Sequence, residues 1–167
     1  MSKFSKGTGY SKNDLRQSGT PIILYGRLYT NYETIIDKVD SYTLLKKDSV
    51  VSQGEEVIVP ASGESAEDIS RASVVLRKGI IIGGDLNIIR PNINIDSTFL
   101  AITISVGRQR RKMARMAQGK SIVHLHNSDL QKIDLVFPTF KEQIQIGSFF
   151  QQLDNLITLH QRKCPEI

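Results

Sequence analysis

The 167-residue sequence has a single cysteine, Cys164. That scarcity excludes an internal disulfide and a thiolate zinc site, and suits a reducing compartment. Residues Met1–Gly7 lack the apolar core of a secretory signal. No apolar run approaches the roughly 20 residues needed to cross a bilayer. A cytoplasmic protein with no membrane partner is expected. Internal repeats and low-complexity tracts are absent. Catalytic motifs are absent too: no Walker phosphate loop, Gly-x-Gly-x-x-Gly, His-Glu-x-x-His or Gly-x-Ser-x-Gly. Neither an Asn/Asp-Pro-Pro-Tyr motif for holding an adenine amino group nor a Pro-Asp…Glu-x-Lys nuclease set is found. These gaps predict a non-catalytic chain that carries no cofactor or metal of its own.

What is present is enough for one folded domain. Hydrophobic residues make up 40% of the chain, which argues against disorder. The net charge is +5 and the isoelectric point about 9.4, a modest pointer to an acidic partner such as nucleic acid. Residues 1–21 read as a polar lead-in with a helical turn near Ser11–Ser18. Strands are expected at Ile22–Tyr25, Ser41–Leu45, Glu56–Val59, Val74–Leu76, Ile80–Ile82, Asn87–Ile89 and Ile133–Phe137. Asp68–Ser73 reads as one helical turn. Phe99–Val106 is β-branched yet leads into a helical pattern, so its class stays open. Arg108–Gln118 has helical spacing and Gly119 suits its C-cap. Thr139-Phe140-Lys141-Glu142 is a capping box that should start a helix running to about Lys163. Strands first and one long closing helix make an α+β pattern, not an alternating βαβ one.

Three features could carry function. At about 100° per residue, Arg108, Arg111, Lys112 and Arg115 share one helix face, opposite Val106, Met113 and Ala117. No acid interrupts Arg108–Lys120. Such a face can meet successive phosphates, or simply be solvated. On the last helix, Ile146, Phe149, Phe150, Leu153, Leu156 and Ile157 fall within an arc of roughly 120°, with His160 beside them. That stripe either covers the domain's own sheet, the reading that pattern alone favours, or pairs with another helix. The loop Pro60–Ser65 could bring its backbone close to a phosphate, although an ordinary turn is the better reading of so lone a feature. The same holds for Gly83-Gly84-Asp85. His124 and His126, two apart on a strand, point the same way, but no third metal ligand accompanies them.

The order of segments resembles the target-recognition domain of type I restriction–modification specificity subunits. The run Pro21–Tyr32 is similar to that family's opening strand, and Gly54–Gly63 to its strand and Ser-Gly loop. Gly83–Pro91, Phe99-Leu100, Ala117-x-Gly119, His124-Leu125, Leu130 and Ile133–Pro138 follow in order. The ending Pro-x-x-x-Glu-Gln-x-x-Ile-Gly, at Pro138–Gly147, is the most specific part. The resemblance spans about residues 9 to 163. It implies a recognition domain at 1–138, a spacer or dimerisation helix at 139–163 and a tail at 164–167.

It also implies partners. These are double-stranded DNA, a methyltransferase subunit that flips the target adenine, and a restriction subunit reached through it. The implied DNA contacts are Arg27, Tyr29, Ser62, Arg108, Arg111, Lys112, Arg115, Lys120 and His124. The implied interface is Ile146, Phe149, Phe150, Leu153, Leu156, Ile157 and His160. Three departures stand out. There is one recognition domain rather than two, for which a homodimer reading a palindromic split site is the simplest remedy. The helix, about 36 Å long, is shorter than the family's usual spacer. Arg27 stands where relatives often carry an acid. A truncated fragment acting only through the methyltransferase subunit is the competing reading.

Overall fold

The strand Glu56–Pro60 is buried along its whole length, so it must be covered on both faces. The computed structural model, which describes residues 2–117 and 122–163 (the side chains of 161–163 excepted), shows both covers. In chain order the strands begin with β1 (Lys3–Lys6), β2 (Leu15–Arg16), β3 (Thr20–Ile23), β4 (Ile35–Ile36), β5 (Tyr42–Thr43) and β6 (Val51–Gln53). They continue with β7 (Glu56–Pro60), β8 (Ser62–Gly63), β9 (Ser73–Val75), β10 (Lys78–Ile82), β11 (Leu86–Arg90) and β12 (Val123–His124). The helices are α1 (Arg27–Thr30), α2 (Ser97–Ser105), α3 (Gly107–Met116), α4 (Asn127–Leu130) and α5 (Phe140–Lys163). One five-stranded sheet has the order β1-β11-β7-β9-β4, a second β2-β5-β3-β10-β6, and β8 with β12 forms a small ribbon. The fold is α+β, as expected.

Strand alternation builds three layers. Val57, Val59, Val74 and Ile89 face one way and pack with Leu100, Ala101 and Ile104 of α2 and Met113 of α3. Their neighbours Ile58, Val75 and Ile88 face the other way, onto Ile80 and Ile82 of β10 and Ile23 of β3. The first sheet therefore lies between the helices and the second sheet. Each such isoleucine, fully buried, contributes about 1.5–3 kcal/mol. The second sheet's outer face carries a smaller cluster of Tyr10, Ile22 and Ile81.

Several segments differ from their sequence reading. The lead-in is not loose: β1 pairs antiparallel with β11, Phe4 opposite Ile89, and Phe4 packs on the core. An edge strand needs few apolar residues, so it reads as polar. Between Ser11 and Ser18 lies one 3-10 turn, Lys12–Asp14, followed by β2. The run from Pro21 is strand only to Ile23 and then turns into α1. The turn expected at Asp68–Ser73 begins earlier, with Ile69 N–H donating to the Ser65 carbonyl, and Ser73 already belongs to β9. Phe99–Ser105 resolves as helix, because the Asp96 carboxylate accepts from Phe99 N–H at 2.8 Å and caps α2. Val106 lies between α2 and α3 and is exposed rather than on the buried face of α3.

Ile133–Phe137 forms no strand. Its alternation is real, since Ile133 and Leu135 reach the core while Val136 is 90% exposed. Among the described residues no strand pairs with it; instead Gln109 Nε2 donates to the Asp134 carbonyl at 2.9 Å. Helix α3 ends at Met116, earlier than the expected Gln118, with the extended Ala117 as its C-cap in place of Gly119, which itself lies outside the described residues.

The closing helix starts where the capping box places it. Glu142 Oε2 accepts from Thr139 N–H at 3.0 Å and from the Thr139 hydroxyl at 2.6 Å. Gln143 and Gly147 are buried against the body, and every described side chain from Ser148 to His160 is exposed. The apolar stripe of α5 thus does not cover its own sheet. A groove of about 590 Å³ separates its second half from Tyr32–Ile35 at the open edge of the first sheet. No helix among the described residues is long and apolar enough to cross a membrane.

Candidate nucleic-acid interface

Helix α3 is built in two halves. Met113 is fully buried and anchors the helix on the first sheet. Gly107, at φ 65°, turns the chain out of α2 so that α3 lies over that sheet at a new angle. Burying Met113 leaves Arg108, Arg111 and Arg115 exposed on the far side. Among the described residues none of these three sits in an ion pair. Lys112 is half-buried and lies 3.4 Å from Asp134. The acid-free run is therefore approached by one acid from outside it, and that acid engages one of the four cations.

A second group forms around the β8–β12 ribbon. Its register puts His124 opposite Ser62. The Tyr29 hydroxyl donates to the Ser62 carbonyl at 2.7 Å. Three candidates far apart in sequence, Tyr29, Ser62 and His124, are thereby brought to one place. Gly63 permits it: a Cβ there would come within 2.9 Å of the Tyr29 hydroxyl. Burial and the neighbouring Asp68 carboxylate push the Tyr29 phenol above its usual range, so it stays protonated and remains a donor. His124 and His126 lie parallel, ring centroids 6.4 Å apart, on the same side as their spacing indicates, and both are exposed.

The ribbon and α3 share a base. Leu125, whose N–H donates to the Ala61 carbonyl, belongs to the same cluster as Met113. Lys120, on the connection between α3 and the ribbon, lies outside the described residues. Tyr25 was not singled out by sequence reasoning. It meets the Tyr29 ring edge-on at 6.0 Å and is exposed. Its spacing of four from Tyr29 was the one available signal.

Arg27 has a different position from the other candidates. Its guanidinium lies 2.6 Å from Glu33 and 3.3 Å from Asp40, and donates to the Lys38 carbonyl at 3.0 Å. With its side chain 14% exposed, it ties the segment after α1 together and has little reach left for a ligand. Among the described residues no group of three or more His, Cys, Asp or Glu could hold a metal ion.

The body is α+β, with a cationic helix face exposed on one side and a helix with exposed apolar residues leaving it. The comparisons with known proteins make the class specific. The sequence matches the type I restriction modification DNA specificity domain over residues 1–167, and the chain belongs to that family. A search of curated proteins finds no match. The fold is similar to a structure solved for complex assembly and conformational transition of the type I R-M system, at TM-score 0.68 and 13% identity. The match covers 97% of this chain and 38% of that one. It is also similar to the HsdS subunit of Thermoanaerobacter tengcongensis, at TM-score 0.67 and 14% identity, over 99% of this chain and 38% of that one. The type I S subunit from M. genitalium matches at TM-score 0.61 and 18% identity, over 95% and 39%. The chain thus spans less than two fifths of the length of each of these structures.

Proposed function

We propose that this chain is a non-catalytic, sequence-specific DNA-binding module that reads one half of a bipartite site and directs partner adenine methyltransferase and restriction subunits to it. The observation that carries this reading is the exposed face of Arg108, Arg111 and Arg115, unpaired among the described residues, on a helix whose buried side shares one apolar cluster with Val123 and Leu125 of the ribbon segment. Cations of this kind supply phosphate affinity, and polar and ring side chains such as those of Tyr29, Ser62 and His124 supply contacts to base edges. The proposed DNA set is Tyr29, Ser62, Arg108, Arg111, Lys112, Arg115, Lys120 and His124. Arg27 serves the body instead. The test is duplex binding measured across a salt series, with methylome sequencing of cells with and without the gene to reveal the half-site. Affinity should fall steeply with salt, and one methylation motif should disappear with the gene. Salt-insensitive binding, or an unchanged methylome, overturns the reading.

A second reading, a fragment that acts only through the methyltransferase subunit, has its own observation. Phe149, Phe150, Leu153, Leu156 and Ile157 of α5 are exposed, and a stripe of that size suits a helical partner, including a second copy of this chain. Under that reading the chain co-purifies with a methyltransferase subunit but binds DNA weakly and without sequence preference.

A further inference from the structure

We propose that Gln143 is a positioning residue that fixes the direction of α5 relative to the recognition body. Gln143 is fully buried, although it lies one turn from the start of a helix whose later half is exposed. Its side-chain amide bonds two segments that flank it. Its Oε1 accepts from Asp96 N–H at 2.9 Å. Its Nε2 donates to the Asn94 carbonyl and to the Pro138 carbonyl, each at 3.0 Å. The amide thus joins the loop before α2 to the residue that precedes the capping box. Asp96 is at the same time the cap of α2, through Phe99 N–H. One turn along α5, Gly147 lies against Thr98, where an added Cβ would come within 3.2 Å of the Thr98 methyl. The first turns of α5 are therefore held at two points, a hydrogen-bonded amide and a close backbone approach, both on the start of α2.

The consequence is geometric. Helix α2 leads through Gly107 directly into α3, the cationic helix. The clamp ties α5 to the element that orients the proposed DNA face, so α5 and α3 turn together. Beyond Gly147 the only side-chain hydrogen bond from α5 to the body, among the described residues, is the long one from Thr34 to Asp154 at 3.4 Å. A small rotation at Gln143 would swing the far end of α5 by many ångströms, since the helix extends roughly 30 Å past it at 1.5 Å per residue. What α5 assembles with would then sit at the wrong distance from the bound DNA. This consequence for DNA spacing rests on the recognition reading above; the angle itself does not.

The test measures the angle directly in the full chain. Nitroxides are placed at Lys6→Cys and Asn155→Cys in a Cys164→Ser background, diluted with unlabelled protein, and their separation is read by double electron–electron resonance. Gln143→Met keeps side-chain length but can neither accept from Asp96 nor donate to Asn94 and Pro138. Gly147→Ala pushes against Thr98. Both should shift and broaden the distance distribution, while circular dichroism and the unfolding of the body stay as in the parent chain. If Gln143→Met does not fold, Gln143→Glu carries the test, since it still accepts from Asp96 but cannot donate. A distribution unchanged by a folded Gln143 variant overturns the proposal, as does a parent distribution already as broad as the variant's. Duplex binding by the Gln143 variant should match the parent. Failure of both to bind DNA would sink the recognition reading and leave the angle measurement intact.

Discussion

Helices α3 and α5 are both amphipathic, and the body uses opposite sides of them. In α3 the apolar side, Met113, is buried and the cationic side is free. In α5 the polar Gln143 and the small Gly147 are buried, and the apolar residues from Phe149 to Ile157 are free. A free cationic face gains little from another protein surface but gains much from a polyanion, through released counterions. A free apolar face gains nothing from DNA backbone and much from a second helix. On the proposed function the two helices would serve two partners of different chemistry, and the difference between them can be tested residue by residue.

The largest expected effect separates a buried apolar residue from an exposed one. Ile58 is fully buried between the two sheets, whereas Leu156 is exposed on α5. Ile58→Ala should cost about 2–5 kcal/mol of stability, through lost burial and the cavity left behind. Leu156→Ala should stay within about 0.5 kcal/mol. Urea denaturation of the isolated chain at low concentration checks both. If Leu156→Ala proves as costly as Ile58→Ala, α5 is packed on something in the free protein, and the exposed-stripe half of the comparison fails.

The next effect falls on α3. Arg111→Ala with Arg115→Ala removes two proposed phosphate contacts, so the slope of log affinity against log salt should become shallower by about two. Stability should barely change, because both side chains are exposed. Fluorescence anisotropy at several salt concentrations reads the slope. The matching change on α5, Phe149→Ser with Leu153→Ser, should leave the DNA slope alone and weaken association between chains, which sedimentation measures. If the α5 pair alters the slope instead, the division of labour between the helices is wrong.

What could be read in the sequence was what local chemistry determines. The capping box at Thr139–Glu142 was legible because its partners lie three residues apart. The buried face of α3 was legible at Met113 from helical spacing. The apolar run of β7 was legible too, but its two covers were not, since they come from β10 and α2 at a distance in sequence. β1 was missed because an edge strand needs only Phe4 inside. The strand expected at Ile133–Phe137 had the correct alternation and lacked a partner, which no local pattern encodes. The same reason hid the fate of Arg27. Its sequence neighbours say nothing of Asp40, which lies 13 residues away and beside its guanidinium. Among the candidate DNA contacts, the meeting of Tyr29, Ser62 and His124 depends on a ribbon register that only the fold provides. Glu142-Gln143 and Ile146-Gly147 were recognisable as a family ending, and the contacts of Gln143 and Gly147 supply a physical reason for that pattern.

A smaller effect is expected at the ribbon. Gly63→Ala introduces a methyl group where the Tyr29 hydroxyl approaches, and overpacking of this kind costs about 1–3 kcal/mol. The strain should fall on the Ile69 methyl, which a Cβ would meet at 2.5 Å, and on the Tyr29–Ser62 hydrogen bond beside it. Tyrosine fluorescence and denaturation together check this. DNA affinity should fall with little change in the salt slope, because no phosphate cation is removed. A slope change as large as that of the arginine pair would mean that the ribbon, and not α3, carries the phosphate contacts.

The smallest effect concerns the root of α5 and its dependence on pH. The hydrogen bonds from Thr139 hold the Glu142 carboxyl below its ordinary value of 4.5. A carboxylate whose folded value is depressed adds stability that is complete above its unfolded value and is lost as pH falls through the folded one. The first turn of α5 should therefore be unaffected between pH 7 and 5 and should loosen only below about the ordinary carboxylate range. Because Glu142 is exposed, the loss should be local and leave the body folded. Hydrogen exchange at the first amides of α5, corrected for the intrinsic pH dependence of exchange, should rise below that range. Thr139→Ala deletes the hydroxyl donor but keeps the backbone N–H, so it should weaken the pH dependence and raise exchange at neutral pH, at a cost of about 1 kcal/mol to the helix start. The Gln143 amide itself does not ionise, so exchange at Asp96 N–H should not follow the Glu142 curve. If it does, the cap and the clamp are one cooperative unit, and the direction of α5 depends on its capping box as much as on its buried amide.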